Sequence, residues 1–156
     1  AGIQNGGRLA PEGAILLLVR GSGLHSRISC CLTAREMAFN QDVKAVTAMA
    51  GSGLSTNHIF AYLQAKDAEL LEMVEFTGIG AGKLDTDRLK ELPISTPSQK
   101  LLKASGELLD TTYDRIKNSL ISSISLCAVR DALLPKLISG EIRIPDAERL
   151  LEDVGI

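Results

Sequence analysis

The chain has 156 residues, of which 45% are hydrophobic, and this apolar content is enough to form a sizeable core. A disordered or collagen-like chain is therefore excluded. The 17 basic and 19 acidic side chains give a formal net charge of −2, so the total charge indicates neither nucleic acid nor an anionic membrane as a partner. Residues 1–60 alone carry five basic and three acidic side chains, which is a weak basic bias. The longest apolar run, residues 14–19, is far shorter than the ~20 residues of a membrane-spanning helix.

The cysteine content indicates a reducing compartment. Cys30, Cys31 and Cys127 are too few to form a disulfide framework for a chain of this size. The chain begins with Ala1 and has no secretory signal. We therefore expect a cytoplasmic location. The sequence leaves open whether the chain is a fragment of a longer one.

Residues 1–97 are predicted to form a small α/β domain with a mixed sheet. Extended runs alternate with Gly-Ser-Gly and Asn-Gln-Asp turns, and Ser55 is a candidate N-cap for a helix with apolar residues at helical spacing. In chain order we predict extended runs at residues 14–19, 29–32 and 43–49 and a helix at residues 55–74. A glycine-rich loop at residues 78–82, a helical turn at residues 87–91 and a last extended segment at residues 92–94 follow.

A long helix is predicted to follow. Between residues 99 and 134 there is no proline and a single glycine, and Ser98 is a candidate N-cap. At ~1.5 Å per residue this helix would be roughly 54 Å long, more than a small globular domain needs. Apolar side chains recur three, four or seven residues apart, which predicts a coiled-coil seam formed by Leu102, Leu109, Tyr113, Ile116, Leu120, Ile124 and Leu134.

The end of the chain is predicted to be helical again after a break. We expect Pro135 to stop or kink the long helix after Leu134, because proline lacks the N–H that an interior helical position donates. Gly140 is expected to end a short turn, and residues 141–144 to be extended. Asp146 is a candidate cap of a terminal helix.

No sequence motif of a metal or nucleophilic site is present. Gly82-Lys83 looks like the end of a phosphate-binding loop, but Thr77 stands where that motif needs glycine, and Leu84 stands where it needs Ser or Thr. The chain contains no His-Glu-x-x-His, Cys-x-x-Cys or Gly-x-Ser-x-Gly sequence. We therefore predict a non-enzyme with no catalytic residues, no metal and no cofactor of its own.

The polar residues that we consider for binding lie in predicted loops. His25 lies in a turn between Arg20 and Arg27, and Lys83 lies in a glycine-rich loop that can approach a phosphate. For both His25 and Lys83 the alternative is an ordinary solvated loop. His58, beside apolar residues on a predicted helix, is expected to be a half-buried packing residue.

VRDALLPKLISGEIRI at residues 129–144 is the most specific of four segments that resemble a known family. It is similar to the characteristic C-terminal end of the specificity subunit of type I restriction-modification enzymes. GAILLLVRGSG at residues 13–23 resembles its strand followed by Arg-Gly, and NQDV at residues 40–43 resembles the start of a further strand. Residues 77–97 are similar to the loop that closes a target recognition domain.

The resemblance implies a target recognition domain in residues 1–97, short at its N-terminus, and a dimerisation or spacer helix with a C-terminal segment in residues 98–156. Subunits of that family have two such domains, joined by two long antiparallel helices. This chain would therefore be a C-terminal fragment, or a half-subunit that dimerises through its helix. The implied partners are double-stranded DNA, methyltransferase subunits and restriction subunits, and S-adenosylmethionine would be bound by the methyltransferase.

The leading hypothesis is a non-catalytic DNA sequence-specificity subunit that recognises one half of a split target. The DNA-binding residues predicted on this hypothesis are Arg20, Ser22, His25, Arg27 and Lys83. The net charge of −2 predicts weak DNA binding by the chain alone, so we expect the methyltransferase to contribute much of the affinity. The alternative is a coiled-coil scaffold whose globular head binds protein instead of DNA.

Overall fold

The computed structural model describes residues 8–76, 80–94 and 96–154. Within them the strands are β1 Arg8–Ala10, β2 Ile15–Leu18, β3 Arg20–Gly21, β4 Cys30–Leu32, β5 Met37–Phe39, β6 Val43–Val46, β7 Val74–Phe76 and β8 Gly82–Leu84. A 3₁₀ turn occupies Ser22–His25. The helices are α1 Thr56–Ala65, α2 Asp67–Leu71, α3 Thr86–Lys90, α4 Gln99–Ser139 and α5 Ile144–Val154.

The chain divides into two compact units, Ala1–Tyr113 and Asp114–Ile156. The first unit contains the strands, α1 to α3 and the beginning of α4. The second contains the rest of α4 and α5. The division predicted at residue 97 marks the start of the long helix, whereas the compact first unit also includes the helix as far as Tyr113.

The predicted combination of small sheets, a long helix and a short C-terminal helix is confirmed. The sheets have the strand orders β1–β5, β4–β2–β6 and β3–β8–β7. Every strand pair that the structure describes is antiparallel, so three separate antiparallel sheets stand in place of one mixed sheet. A parallel pair is usually connected by a crossover helix, and no α-helix lies between any two of the first six strands that the structure describes.

The core of the first unit lies between sheet β4–β2–β6 and helix α1. Along β2, Ile15 and Leu17 are fully buried, while the alternate residues Leu16 and Leu18 are half-buried on the other face. Phe60 and Leu63 of α1 are buried in the same cluster. The apolar run predicted to be a buried strand therefore has one face in the core and one face near the surface.

Helix α1 begins where the sequence predicts and ends earlier. Ser55 is its N-cap, because the Ser55 hydroxyl accepts a hydrogen bond from the His58 N–H while the His58 side chain accepts one from the Ser55 N–H. The predicted continuation to residue 74 is wrong, since α1 ends at Ala65, α2 is a separate short helix and Val74 lies in β7. Helical spacing of apolar residues persists across this break, so the spacing alone does not reveal it.

The long helix is confirmed, but it does not stop before Pro135. Helix α4 runs from Gln99 to Ser139 with Pro135 inside it. Proline removes one backbone hydrogen bond, but its fixed φ is compatible with a helix, so the chain continues helical. The helix ends at Gly140, whose φ of 75° is in the left-handed region that favours glycine.

The C-terminal helix starts earlier than expected. Residues 141–144 were predicted to be extended, whereas α5 already begins at Ile144. Asp146 still acts at its start, because the Asp146 carboxylate accepts a hydrogen bond from the Arg143 N–H at 3.4 Å. Ala147 is the best-buried residue of this helix among those described, with 5% of its surface exposed.

Candidate nucleic-acid interface

Sheet β3–β8–β7 brings two of the predicted DNA-binding residues together. Arg20 on β3 lies directly opposite Lys83 on β8, and Lys83 lies opposite Glu75 on β7. Directly opposed residues of antiparallel strands project from the same face, and all three side chains are exposed. Among the residues that the structure describes, neither Arg20 nor Lys83 forms an ion pair within 4 Å. This face therefore presents two cations beside one carboxylate.

Glycines set the shape of this small sheet. Gly21 pairs with Gly82, and Gly21 has a φ of 150° that L side chains rarely adopt. A Cβ on Gly82 would lie 2.9 Å from both Leu24 Cβ and Val74 Cγ1, so no other residue fits there without displacing its neighbours. The Arg-Gly and Gly-Lys pairs thus place a cation on the outer face and a glycine on the packed face. The glycine-rich segment predicted to be a loop includes the start of β8.

His25 is held at the end of this sheet. Its Nε2–H donates a hydrogen bond to the Gly80 carbonyl at 2.6 Å. Because a carbonyl can only accept, Nε2 carries the proton, and Nδ1 is an acceptor when the ring is neutral. The imidazole also stacks on Phe76, with ring centroids 4.7 Å apart and an interplanar angle of 15°. Ser22 begins the same 3₁₀ turn and is exposed.

Arg27 lies at a different surface of the first unit. It lines an open groove of about 1100 Å³, together with Leu16 and Leu18 from the outward face of β2. The loop beside it is fixed by the Asp67 carboxylate, which accepts a hydrogen bond from the Ile28 N–H at 2.7 Å. The structure therefore groups Arg20, Ser22, His25 and Lys83 on one sheet and its adjoining turn, whereas Arg27 belongs to the groove.

A polar contact that the sequence did not predict holds α4 against α1 within the first unit. Nε2–H of His58 donates a hydrogen bond to Ser105 Oγ at 3.0 Å, and Ser105 Oγ donates to the Leu101 carbonyl at 2.8 Å. His58 Nδ1 lies 2.8 Å from the Ser55 hydroxyl. A Cβ on Gly106 would lie 3.0 Å from His58 Cε1, so the glycine allows this close approach. His58 is half-buried, and it acts as a polar link as well as a packing residue.

The signal for this contact was present in the sequence but was not interpretable alone. Ser105 interrupts the apolar spacing of α4, and Gly106 is the single glycine of its predicted length. Both features are unfavourable in a helix that faces only apolar neighbours. Their partner, His58, lies 47 residues away. Sequence spacing gives no pairing at that distance.

The first three predicted seam residues, Leu102, Leu109 and Tyr113, pack within the first unit. Leu102 is 9% exposed. Tyr113 packs edge-on against Phe60, with ring centroids 5.3 Å apart, and its hydroxyl donates to Gln64 Oε1 at 3.3 Å. Burial raises the pKa of the Tyr113 hydroxyl, and the nearby Cys30 raises it further. Leu109 is half-buried.

The remaining seam residues lie in the second unit and are exposed. Leu120 and Ile124 are 60% and 71% exposed, and Ile116 and Leu134 are also exposed. Large apolar side chains exposed to water raise the free energy of the chain, and covering them with another surface lowers it. The second unit thus presents an apolar stripe along α4.

The three cysteines are unpaired thiols in different environments. Cys31 and Cys127 are exposed, and Cys30 is half-buried. Burial raises the pKa of the Cys30 thiol, and the neighbouring Cys31 and Asp67 add to this effect. Cys30 is therefore the least reactive of the three toward alkylation, because the thiolate is the nucleophile.

Neither a metal cluster nor a membrane span is found in the described part of the chain. No three or more His, Cys, Asp or Glu side chains there are grouped so that they could hold a metal ion. None of the described helices combines the length and the apolar content needed to cross a bilayer.

No protein-family model, curated protein or solved structure matches this chain.

Proposed function

We propose that the chain is a non-catalytic DNA sequence-specificity subunit of a type I restriction-modification system, recognising one half of a split target. The family in this proposal rests on the resemblance of residues 129–144 and 13–23, and the observation that supports DNA contact is the pairing of Arg20 with Lys83 on β3 and β8, next to the turn that holds Ser22 and His25. Lys83 lies far from the other residues in the sequence, yet Arg20, Ser22, His25 and Lys83, four of the five predicted DNA-binding residues, lie on one sheet and its adjoining turn.

The chemistry of this surface fits a duplex. Guanidinium and ammonium groups contact phosphate oxygens and fix the position of the protein on the duplex. Short polar side chains in a turn contact base edges in the major groove, where each base pair presents a distinct set of donors and acceptors. In this proposal Arg20 and Lys83 bind phosphates, and Ser22 and His25 face the bases. Arg27 lies in the separate groove, so in this proposal it contacts DNA next to the stretch that the other four residues bind.

The charge of the surface predicts a modest affinity. Glu75 lies beside Lys83 and offsets part of its charge, and the chain as a whole carries −2. Phosphate neutralisation supplies much of the affinity of DNA-binding proteins. The proposed methyltransferase partner therefore supplies additional DNA contacts, and it also binds S-adenosylmethionine and transfers the methyl group. Restriction subunits complete the cytoplasmic complex.

The exposed stripe of α4 supports the proposal of a helical partner. Ile116, Leu120 and Ile124 lie at coiled-coil spacing and are exposed in the second unit. The partner helix is that of a second copy if the chain is a half-subunit, and it belongs to the same subunit if the chain is a fragment. In both cases the helix pair sets the separation of two half-sites.

The direct test is purification of the tagged chain from its native cells, followed by identification of the co-purifying proteins by mass spectrometry. The proposal predicts recovery of a DNA-adenine methyltransferase in a stable complex. Recovery of unrelated proteins alone, from bait shown to be folded by circular dichroism, would contradict it and favour the scaffold.

A further inference from the structure

Phe76 is exposed although it is held in a fixed position. It is the last residue of β7, and 58% of its side chain is exposed. One face of its ring is covered by the His25 imidazole, which is itself fixed by the hydrogen bond to the Gly80 carbonyl. The other large exposed hydrophobic residues of the described chain are aliphatic or Met. An exposed aromatic ring whose position is already set by a stacking partner has less conformational entropy to lose on binding.

The position of Phe76 relates it to the cations of the same sheet. Its register partner is Gly82, so its side chain leaves the sheet on the opposite face from Lys83. Because Phe76 ends its strand, the ring lies at the end of the sheet, beside the turn that carries Ser22 and His25. The major groove, about 12 Å wide, admits a β-ribbon. A sheet end that enters the groove places Phe76 toward the bases and leaves Arg20 and Lys83 near a phosphate strand.

We propose that Phe76 is a specificity-determining residue that packs against the 5-methyl group of a thymine in the major groove. This inference rests on the proposed function. The thymine methyl is the one apolar group on the major-groove edges of the four bases, and phenylalanine is among the side chains that contact it. In this arrangement His25 also positions Phe76, since it covers one face of a ring that is 58% exposed.

The test uses the full chain and duplexes enriched by it from a random-sequence pool at low salt. Each thymine of an enriched duplex is replaced in turn by deoxyuridine, which removes only the methyl group. For the unmodified chain, one or two of these replacements weaken binding about threefold to tenfold, the effect of removing one buried methyl contact. In the Phe76→Ala variant the same replacements have no further effect. Leu9→Ala, which truncates an exposed apolar strand residue elsewhere in the first unit, keeps the thymine dependence.

The outcomes separate this inference from the function on which it rests. If the chain enriches duplexes but no thymine methyl contributes to affinity, or if Phe76→Ala retains the methyl dependence, the role of Phe76 is wrong and the DNA-binding function stands. If no duplex is enriched, the proposed function fails and the inference fails with it. The deoxyuridine series on the unmodified chain gives a result even if Phe76→Ala does not fold.

Discussion

Two stretches of the same helix differ sharply in what surrounds them. From residue 99 to 113, α4 belongs to the first unit, where Leu102 is buried and Tyr113 packs on Phe60. From residue 114 to 139 the apolar spacing continues, but Leu120 and Ile124 are exposed. The spacing of apolar residues is the same in both stretches. It predicts that a surface will be covered, but not whether the cover comes from the chain itself or from a partner.

Polar residues distinguish the two stretches better than the apolar ones do. The covered stretch has Ser105 and Gly106 placed against His58, and Asp110 Oδ1 accepts a hydrogen bond from Asn57 Nδ2 at 2.7 Å. These contacts require one specific neighbour with matching groups. The covered stretch therefore has a defined register on α1, and the exposed stripe is the part of α4 to which we assign the proposed partner helix.

Two leucines on this helix should differ strongly in how much they contribute to the free energy of unfolding. Leu102→Ala should lower the free energy of unfolding by about 2–4 kcal/mol, because it empties a buried site. Leu120→Ala should change it by less than about 0.5 kcal/mol in dilute solution, since the side chain is mostly exposed. Urea denaturation followed by circular dichroism measures both. Equal losses for the two variants would show that the stretches do not differ in the way described.

A charge in the exposed stripe should act on association instead of folding. Ile124→Asp should weaken self-association, or binding to a partner helix, at least about tenfold, because it buries an unpaired carboxylate in the contact. Sedimentation velocity over a range of protein concentrations measures self-association. Ser125→Asp, which introduces the same charge at a neighbouring exposed residue outside the predicted seam, is the matched control. An Ile124→Asp variant that associates as strongly as the unmodified chain would remove this stripe from the interface.

The polar contact between α1 and α4 should contribute a smaller amount. His58→Ala removes the bond to Ser105 and half of the capping box at Ser55, so we expect a loss of about 1–2 kcal/mol in unfolding free energy. Ser119→Ala, a serine change on the exposed part of the same helix, should be close to neutral. Thermal and urea denaturation of both variants provide the test. A neutral His58→Ala would mean that apolar packing alone holds α4 in place.

The pH dependence should show the burial of Tyr113. Its pKa is raised in the folded chain, so the neutral hydroxyl contributes stability that is present below the usual pKa of about 10 and is lost as pH rises through the folded value. From about pH 9 to about pH 11, Tyr113→Phe should therefore lose less stability than the unmodified chain. Cys30, whose pKa is raised as well, acts in the same direction and is retained in the variant. Identical pH profiles would contradict the burial of the hydroxyl.

The order in which the three thiols are alkylated can be measured without changing the sequence. Under limiting iodoacetamide near neutral pH, Cys31 and Cys127 should be alkylated before Cys30, because Cys30 is half-buried and its raised pKa leaves less thiolate. Peptide mass spectrometry at several times gives the order. Cys30 reacting first would show that the strand pair of β2 and β4 is open in solution.

Local sequence signals predicted several helices and strands, whereas the candidate DNA-binding site depends on long-range contacts. The Ser55 cap, the run that forms β2 and the proline-free stretch of α4 each depend on neighbouring residues, and each was predicted correctly. The pairing of Arg20 with Lys83 joins residues that are 63 positions apart in the chain. It depends on which short strands meet, and no spacing rule gives that.

Other features of the site were outside the reach of a single sequence. The separation of Arg27 from Arg20 results from a loop whose course is fixed by Asp67. The exposure of Phe76 depends on its place at a strand end. Part of the predicted glycine loop, residues 78 and 79, lies outside the described residues.

Contact of Arg20 and Lys83 with DNA phosphates should appear in the dependence of duplex affinity on salt concentration, which is the measurement we would make first. Fluorescence anisotropy with the full chain should give a linear fall of log affinity with log salt. The double variant Arg20→Ala, Lys83→Ala should bind more weakly and reduce the slope by about 2, one for each lost phosphate contact. The charge-matched control Arg35→Ala, Lys103→Ala, which removes two exposed cations elsewhere, should keep the slope of the unmodified chain. An unchanged slope in the first variant, or no salt-dependent binding at all, would contradict these phosphate contacts.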